Sequence, residues 1–308
     1  QALANNTTGY SNAAFGYGSG FNITTGVYNT SVGQATLYTN TTGSHNTVLG
    51  RGAMYYSTTG SSNVAVGQAC LQHITTPSHN VAVGNGCCYT LTTGELNVAV
   101  GDNAMYYATT ANYNTCLGKN AGSSITTGYR NVMIGHYAGD TTTDGYNNIC
   151  IGEGSDVSSA SNHHEGVFGR GGIGKGNHTF YASAGNVYNG ANSTAWQTTS
   201  DRRIKKNIVD NTTGLSIINQ LNVRNFEYKT EDEITTDSPE LTDVVRSAVV
   251  KKSGVQIGVI AQELETILPD TVEIQSTGIK TVNTDPLIWH LINAVKELST
   301  EVNALKAK

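Results

Sequence analysis

An asparagine that recurs every 17 residues constrains the fold of this chain more than any other feature. The interval holds without slippage over the first half of the chain, and a glycine follows each anchor residue four positions later. An unbroken repeat indicates a chain wound into a stack of similar coils that contact only their neighbours. This excludes most globular enzyme folds for the repeat region. The anchor residues are Asn12, Asn29, Asn46, Asn63, Asn80, Asn97, Asn114, Asn131, Asn148 and, in the tenth position, Glu165.

Each repeat carries apolar residues at fixed places. In Asn63–Gly67 the two valines point to one side of an extended chain and Ala65 to the other, and the glycine then favours a turn. A second apolar stretch follows, as in Ala53–Tyr56, and a Thr-Thr-Gly marker turns the chain back in most repeats. The pattern predicts two short strands and two turns per repeat, with the asparagine amides bonded along the stack.

A coil of 17 residues is thin, and strands this short bury little apolar surface alone. We therefore expect three chains to pack side by side around one axis. The predicted fold class is mainly β, a trimeric β-solenoid or β-roll over residues 1–169, followed by a smaller α+β domain. Residues 170–199 lose the period and are interpreted as the end of this shaft and a linker.

Charge changes abruptly along the chain. Residues 1–199 carry five Lys or Arg and seven Asp or Glu, whereas residues 200–308 carry 13 and 16. Both parts are slightly acidic, so neither has the basic excess of a general nucleic-acid binder, and no nucleic-acid partner is expected. No apolar run is long enough to span a bilayer, so we expect no membrane insertion.

The five cysteines follow the repeat. Cys70 and Cys87 share one position in successive repeats, and Cys116 and Cys150 share another. We interpret them as small buried hydrophobic residues, although a Cys70–Cys87 disulfide is the alternative, because one rung spans about 4.8 Å. No CxxC pair occurs, and the His163-His164 pair has the appearance of ordinary polar residues near a tip. No metal and no cofactor are predicted.

Two groups of fibrous proteins share this repeat pattern. The N-V-A-V-G segments resemble the N-x-V-A-I-G head repeats of trimeric autotransporter adhesins, and they also resemble the repeat shafts of bacteriophage tail fibres. The resemblance covers residues 1–169 and implies a trimeric rod.

A basic cluster, Thr199–Ile208, stands where the composition changes. Its sequence S-D-R-R-I-K-K-N-I resembles the signature of the intramolecular chaperone domain of phage tailspikes and fibres, the peptidase S74 family. Three later segments resemble further elements of that family in the same order: Phe226–Lys229, Gly258–Glu265 with Pro269, and Leu287–Leu298. One departure is Thr284-Asp285, where the family often has a tyrosine after Val-Asn.

The resemblance implies a domain that guides trimer folding and is then released by cleavage between Thr199 and Ser200. It assigns Ser200 as the nucleophile and Lys205 as the base, a single-turnover Ser-Lys dyad with no external substrate. Asp201, Arg203 and Asn207 match the motif and are candidate supporting residues. A lysine acts as a base when burial or nearby cations, here Arg202, Arg203 and Lys206, favour its neutral form. An N→O acyl shift and direct hydrolysis both remain open, and the alternative is a solvated basic strand start.

The last segment predicts a helix that begins at Asp285-Pro286. Apolar residues follow a heptad pattern there, which is typical of a short coiled coil; a core helix within its own chain is the alternative. The heptad residues are Ile288, Leu291, Val295, Leu298, Val302 and Leu305. Earlier, Gln256–Val272 has the spacing of an amphipathic helix. Glu231–Pro239 has the composition of an exposed acidic loop.

These observations favour a virion component, a homotrimeric tail fibre or tailspike assembled in the host cytoplasm. Its expected partner is a host cell-surface receptor, either a glycan or an outer-surface protein. One alternative is the rod of a bacterial surface adhesin. Another is a carbohydrate-degrading tailspike, for which the only local groupings of acids are Glu153 with Asp156 and the His163–Glu165 segment.

Overall fold

The computed structural model describes residues 1–183, 200–250 and 252–307, without the side chains of residues 242, 243, 246 and 247. The chain divides into two compact units, Gln1–Gly185 and Asn186–Lys308. Thr199 of the predicted cleavage site and residues 184–198 of the predicted linker lie outside the described residues.

The first unit is a parallel β-solenoid with one three-residue strand per coil. Eleven strands form a single sheet in sequence order, and from β1 to β9 each strand residue pairs with the residue 17 positions further on, as Ala65 does with Ala82. The predicted β-solenoid is confirmed. The strands are β1 (Ala13–Phe15), β2 (Thr30–Val32), β3 (Thr47–Leu49), β4 (Val64–Val66), β5 (Val81–Val83), β6 (Val98–Val100), β7 (Thr115–Leu117), β8 (Val132–Ile134), β9 (Ile149–Ile151), β10 (Gly166–Phe168) and β11 (Phe180–Ala182).

The core of the solenoid lies inside the coil of a single chain. The central residue of each strand from β2 to β10 points inward, and Ala65 and Val48 there are 0% exposed. Further columns of buried residues, such as the column of Leu71 and that of Ile74, fill the rest of the coil. All five cysteines are buried free thiols, which confirms their interpretation as small hydrophobic residues.

The prediction of two strands per repeat was wrong. The second apolar stretch, including Ala53–Tyr56, forms turns, and residues at alternate positions such as Gly52 and Met54 have φ of 67° and 47°. This backbone lets amides of one turn segment point along the stack to either neighbouring coil. Gly52 N donates to Gln34 O of the preceding coil, and Met54 N donates to Cys70 O of the following coil, both at 2.9 Å. The coils are thus joined here without extended strands.

The anchor asparagines form a buried ladder of amides. Asn80, for example, donates from its backbone N to Asn63 Oδ1 at 3.0 Å. Its Nδ2 donates to the same oxygen at 3.3 Å and to Gly94 O at 3.0 Å. Such an anchor amide is therefore satisfied by the coils on either side of it, as is usual for a polar group in a core.

Glu165 ends this ladder. Its backbone N donates to Asn148 Oδ1 at 3.0 Å, while its buried carboxylate accepts from Ser158 N at 2.8 Å and from Gly176 N at 2.5 Å. A carboxylate can accept but cannot donate, so Glu165 makes neither of the side-chain donations that Asn80 makes, and its oxygens bind Ser158 and Gly176 instead of a further anchor. The next coil is also shorter, because Gly166 pairs with Phe180, 14 positions on.

The second unit consists of short elements and one long helix. Its sheets have only two antiparallel strands each, β12 with β13 and β14 with β15. The elements are α1 (Leu215–Ile218), β12 (Arg224–Phe226), α2 (Glu231–Asp237), α3 (Val245–Ala248), β13 (Gln256–Gly258), α4 (Ala261–Glu265), β14 (Val272–Ile274), β15 (Lys280–Val282) and α5 (Asp285–Lys306).

Two predictions for this unit were wrong. Gln256–Val272 is not one helix, since it contains β13, the short α4 and a 3₁₀ turn. The acidic segment from Glu231 is not a loop but helix α2. A capping box starts it, in which Thr230 Oγ1 accepts from Glu233 N and the Glu233 carboxylate accepts from Thr230 N.

Helix α5 begins one residue earlier than predicted, because Thr284 and not Asp285 is its N-cap and Asp285 is its first residue. It packs on α1 at Ala294, where an added Cβ on Gly214 would collide with the Ala294 backbone N. Leu215 N also donates to Glu297 Oε2 at 2.8 Å. Among the described helices, none has the length and apolar character needed to cross a membrane.

Candidate active site

A single turn brings Ser200 and Lys205 together. Asp201 caps a 3₁₀ turn over Arg202–Ile204, and the chain then leaves in an extended conformation at Lys205. As a result the Lys205 side chain folds back over five residues. Its Nζ donates to Ser200 Oγ at 2.8 Å, a distance suited to proton transfer.

Asp201 and Arg203 hold this turn in shape. Asp201 Oδ1 accepts from Arg203 N at 2.8 Å, and the Arg203 guanidinium bonds both carboxylate oxygens. The side-chain bond from Arg203, followed by its backbone N–H, lowers the pKa of Asp201 below its ordinary value. The same ion pair raises the pKa of Arg203. The charge of Arg203 is therefore directed at Asp201, which leaves Arg202 and Lys206 as the other cations of the cluster.

The remaining motif residues are exposed. Asn207 adopts a left-handed conformation with φ of 53°, a position that asparagine tolerates better than most residues. It turns the chain directly after the cluster. Ser200 and Lys205 are also exposed in the isolated chain. Thr199, the residue on the other side of the expected scissile bond, lies outside the described residues, so the structure gives no geometry for its carbonyl.

The two local groupings of acids named by the sequence analysis do not provide an open carboxylate pair. Glu153 is exposed and pairs with Arg170 at 3.1 Å. Asp156 and Glu165 are 0% and 1% exposed. Glycoside hydrolysis needs two carboxylates that flank an accessible bond, so these groups give no support to a carbohydrate-degrading site.

A histidine cluster lies near the end of the solenoid, where His163 and His164 meet His178 of the following coil. Desolvation, then the charges of His178 and His163, lowers the pKa of His164. Sequence reasoning noted the first two histidines but missed the third. The reason is the spacing, because His178 follows His164 by 14 residues and not by the 17 of the repeat.

Comparison with known families supports the C-terminal assignment. Residues 200–273 match the family model of the chaperone of endosialidase, Peptidase_S74. Comparison with curated proteins finds no match. The matched segment contains the Ser200–Lys205 turn and the elements from α1 to α4, and it ends within β14. Together with the solenoid, the match supports a fibre-like or tailspike-like protein that carries an intramolecular chaperone domain.

Proposed function

We propose that this chain is a homotrimeric tail fibre or tailspike of a bacteriophage virion. Its C-terminal unit directs the assembly of three chains and is then released by one self-cleavage between Thr199 and Ser200. The observation that carries the proposal is the 2.8 Å contact between Lys205 Nζ and Ser200 Oγ. This contact lies inside the segment that matches the chaperone family.

The chemistry follows from that contact. A neutral Lys205 accepts the proton of the Ser200 hydroxyl while Oγ attacks the carbonyl carbon of Thr199. Collapse of the tetrahedral intermediate breaks the Thr199–Ser200 amide, and the protonated lysine returns its proton to the leaving Ser200 amine. The product is an ester on Ser200 Oγ, which one water molecule hydrolyses. In the alternative route, the dyad activates that water directly against the amide.

Association controls this step. Lysine becomes a base when its charged form is disfavoured by burial or by nearby cations. Lys205 and Ser200 are exposed in the single chain, with Arg202 and Lys206 close in sequence. Packing of three such clusters together removes water and concentrates positive charge. Only assembled chains are then cut. Once the C-terminal unit has left, the solenoid cannot unfold by the reverse of its folding path, so its stability becomes kinetic.

Two surfaces support self-association. The last residue of each strand from β1 to β10 points outward and is always apolar, as in Leu49, which is 36% exposed, and Val100, which is 38% exposed. On α5 the six heptad residues are also exposed, between 44% and 68%. These outward residues form a column with one apolar side chain per coil. Such a column packs best against a second column with the same spacing between coils. Another copy of this chain has that spacing, which favours a homotrimer.

The proposed location is the virion, with assembly in the host cytoplasm and attachment to a host receptor. The receptor class is a surface glycan or an outer-surface protein. Exposed tyrosines along the coils, such as Tyr17 and Tyr107, support this role because their rings offer an apolar face and a polar tip for recognition.

Intact mass and denaturing electrophoresis of freshly expressed protein test the cleavage. We expect wild type to yield two fragments that separate between Thr199 and Ser200, while Ser200→Ala and Lys205→Ala stay whole. A matched pair of controls is Ser253→Ala and Lys252→Ala, which alter an exposed serine and lysine elsewhere in the same unit. Both controls should be cut as wild type is.

Two outcomes would contradict the proposal in different ways. An intact wild type that sediments as a trimer would remove the protease and leave the chaperone. Cleavage of Ser200→Ala at the same bond would show that Ser200 is not the nucleophile.

A further inference from the structure

Three imidazoles converge on the surface of the last two coils of the solenoid. His163 and His164 precede β10, and His178 precedes β11. One ligand nitrogen from each ring lies within 4.8 Å of the others. The Nδ1 atoms of His163 and His164 are 3.0 Å apart, and the His164 and His178 rings stack with centroids 4.8 Å apart.

The shortened coil produces this convergence. Asn147, His164 and His178 occupy equivalent places in successive coils and share a left-handed backbone, with φ of 55°, 59° and 62°. The 14-residue step from β10 to β11 restores the stacking and so places His178 next to His164. His164 and His178 are exposed and His163 is partly exposed, so an ion from solvent can reach all three.

The distances fit a small transition-metal ion. Zinc binds imidazole nitrogen at about 2.0–2.1 Å, which places two ligands of a tetrahedral site roughly 3.3 Å apart. The His163–His164 pair is already close to that separation, and a rotation of the exposed His178 side chain brings in the third nitrogen. Two nitrogens 3.0 Å apart cannot both carry protons, so one ring donates to the other. A bound cation would displace that shared proton.

Polar neighbours stand at the far side of two of the rings. Asn147 Nδ2 lies 3.2 Å from His164 Nε2, and Asn177 Nδ2 lies 3.1 Å from His163 Nε2. Amide oxygen and nitrogen are interchangeable by a half-turn of the group, so Asn147 can present its oxygen to a His164 Nε2–H. Such an outer partner orients a metal-binding imidazole.

We propose that His163, His164 and His178 bind one divalent transition-metal ion, with zinc as the best fit, and that this ion ties the last coil of the solenoid to the one before it. Among the described residues the group consists of three imidazoles without a carboxylate, and nitrogen ligands favour zinc, nickel or copper over calcium or magnesium. The nearest acid in sequence, Glu165, turns its carboxylate inward to Ser158 and Gly176. The fourth position is open to water.

Calorimetric titration of zinc chloride into the chelator-treated full chain tests this site. We expect saturable binding of one ion per chain in wild type. His164→Asn and His178→Asn should each weaken zinc binding by more than about tenfold, since the loss of an outer partner alone has about that effect. Asparagine is chosen because Asn147 already occupies the equivalent place with the same backbone.

His79→Asn is the matched control, since His79 holds the same place in an earlier coil with φ of 64°. It should bind zinc as wild type does, and its melting temperature in chelator should equal that of the two test variants. Zinc should raise the melting temperature of wild type and of His79→Asn only. The proposal is overturned if wild type binds no zinc saturably, or if the His164 and His178 variants bind it as tightly as the control.

Discussion

The two units of this chain bury their apolar residues in opposite ways. In the solenoid, columns of side chains such as those of Ala65, Leu71 and Ile74 are fully enclosed by one chain. Among the described residues of the C-terminal unit, only Ile234, Leu264 and Ala294 are buried apolar side chains. Larger ones, including Trp289 at 66% exposure and Ile257 at 75%, face solvent.

This difference indicates where each unit obtains its stability. A coil gains its contacts from the coils before and after it, so the solenoid closes its core without a partner. The C-terminal unit leaves an apolar stripe on α5 that a single chain does not cover. We therefore expect its ordered state to depend on association, which suits a unit whose proposed task is to bring chains together.

The largest effect is expected where coils approach most closely. Gly67 has φ of 136°, and an added Cβ would collide with the Gly84 carbonyl of the next coil. Gly67→Ala should cost more than about 3 kcal/mol of unfolding free energy, or prevent folding. Gly154→Ala is the control, because φ there is 62° and nothing lies within 4 Å of the added Cβ. It should cost about 1 kcal/mol. Urea unfolding followed by circular dichroism measures both, and equal losses would show that contact between coils is not decisive.

Leu298→Asp should impair association through the C-terminal unit without affecting the solenoid. Leu298 lies on the exposed stripe of α5, so a charge there should leave the solenoid unchanged within about 0.5 kcal/mol. Association of the chains should fall by at least about tenfold, since the charge would have to be buried. Sedimentation velocity gives the oligomeric state. Ser299→Asp adds the same charge beside the stripe and should associate normally; equal behaviour of the two variants would exclude α5 as the contact.

Two buried asparagines in the solenoid should respond with opposite signs to one substitution. Asn40 is buried and neither of its side-chain polar atoms has a partner in the described structure. Asn40→Leu should stabilise the protein by about 1–2 kcal/mol, because leucine and isoleucine hold this position in other coils. Asn46 belongs to the ladder, donating to Gly60 O at 2.9 Å, and Asn46→Leu should cost about 2–3 kcal/mol. Thermal unfolding compares them, and stabilisation of both would remove the structural role of the ladder.

The smallest effect concerns the exposed Asp201–Arg203 pair. A lowered folded pKa means that the carboxylate form is favoured in the fold. The stabilisation of the fold by the Asp201–Arg203 pair is thus present at pH values above the ordinary aspartate pKa of 3.8. It is lost as the pH falls through the lower pKa of Asp201 in the fold. A carboxyl titration by NMR should give Asp201 a midpoint below 3.8 in wild type and close to it in Arg203→Gln. A wild-type midpoint at or above that value would contradict the pairing.

The sequence predicted the solenoid well because its signals are periodic. Ten equivalent anchors cannot be shifted relative to one another without breaking every coil, so register and core followed from the spacing. The second strand was not predictable in the same way. Residues such as Met54 are apolar in either conformation, and only the left-handed backbone at alternate positions distinguishes turns from a strand.

The C-terminal unit was harder to predict, since its elements are short and occur once. The capping box of Thr230 and Glu233 was present in the sequence, but the acidic composition around it suggested a loop. The Ser200–Lys205 pair was suggested by a motif, and the 3₁₀ turn that joins them depends on the Asp201 cap. In the proposed trimer, neighbouring chains would bury that pair, and no feature of one chain can specify that arrangement.

Because the 17-residue coils stack in register, the length of the solenoid is set by the number of coils. A duplication or deletion of one whole coil changes the stack by one rung, about 4.8 Å, and leaves every column continuous. An insertion or deletion of another length within the asparagine ladder places an anchor such as Asn97 opposite a residue that cannot continue the amide bonds. A lineage that carries this architecture can therefore adjust its reach in fixed increments while the surface presented by each increment stays the same.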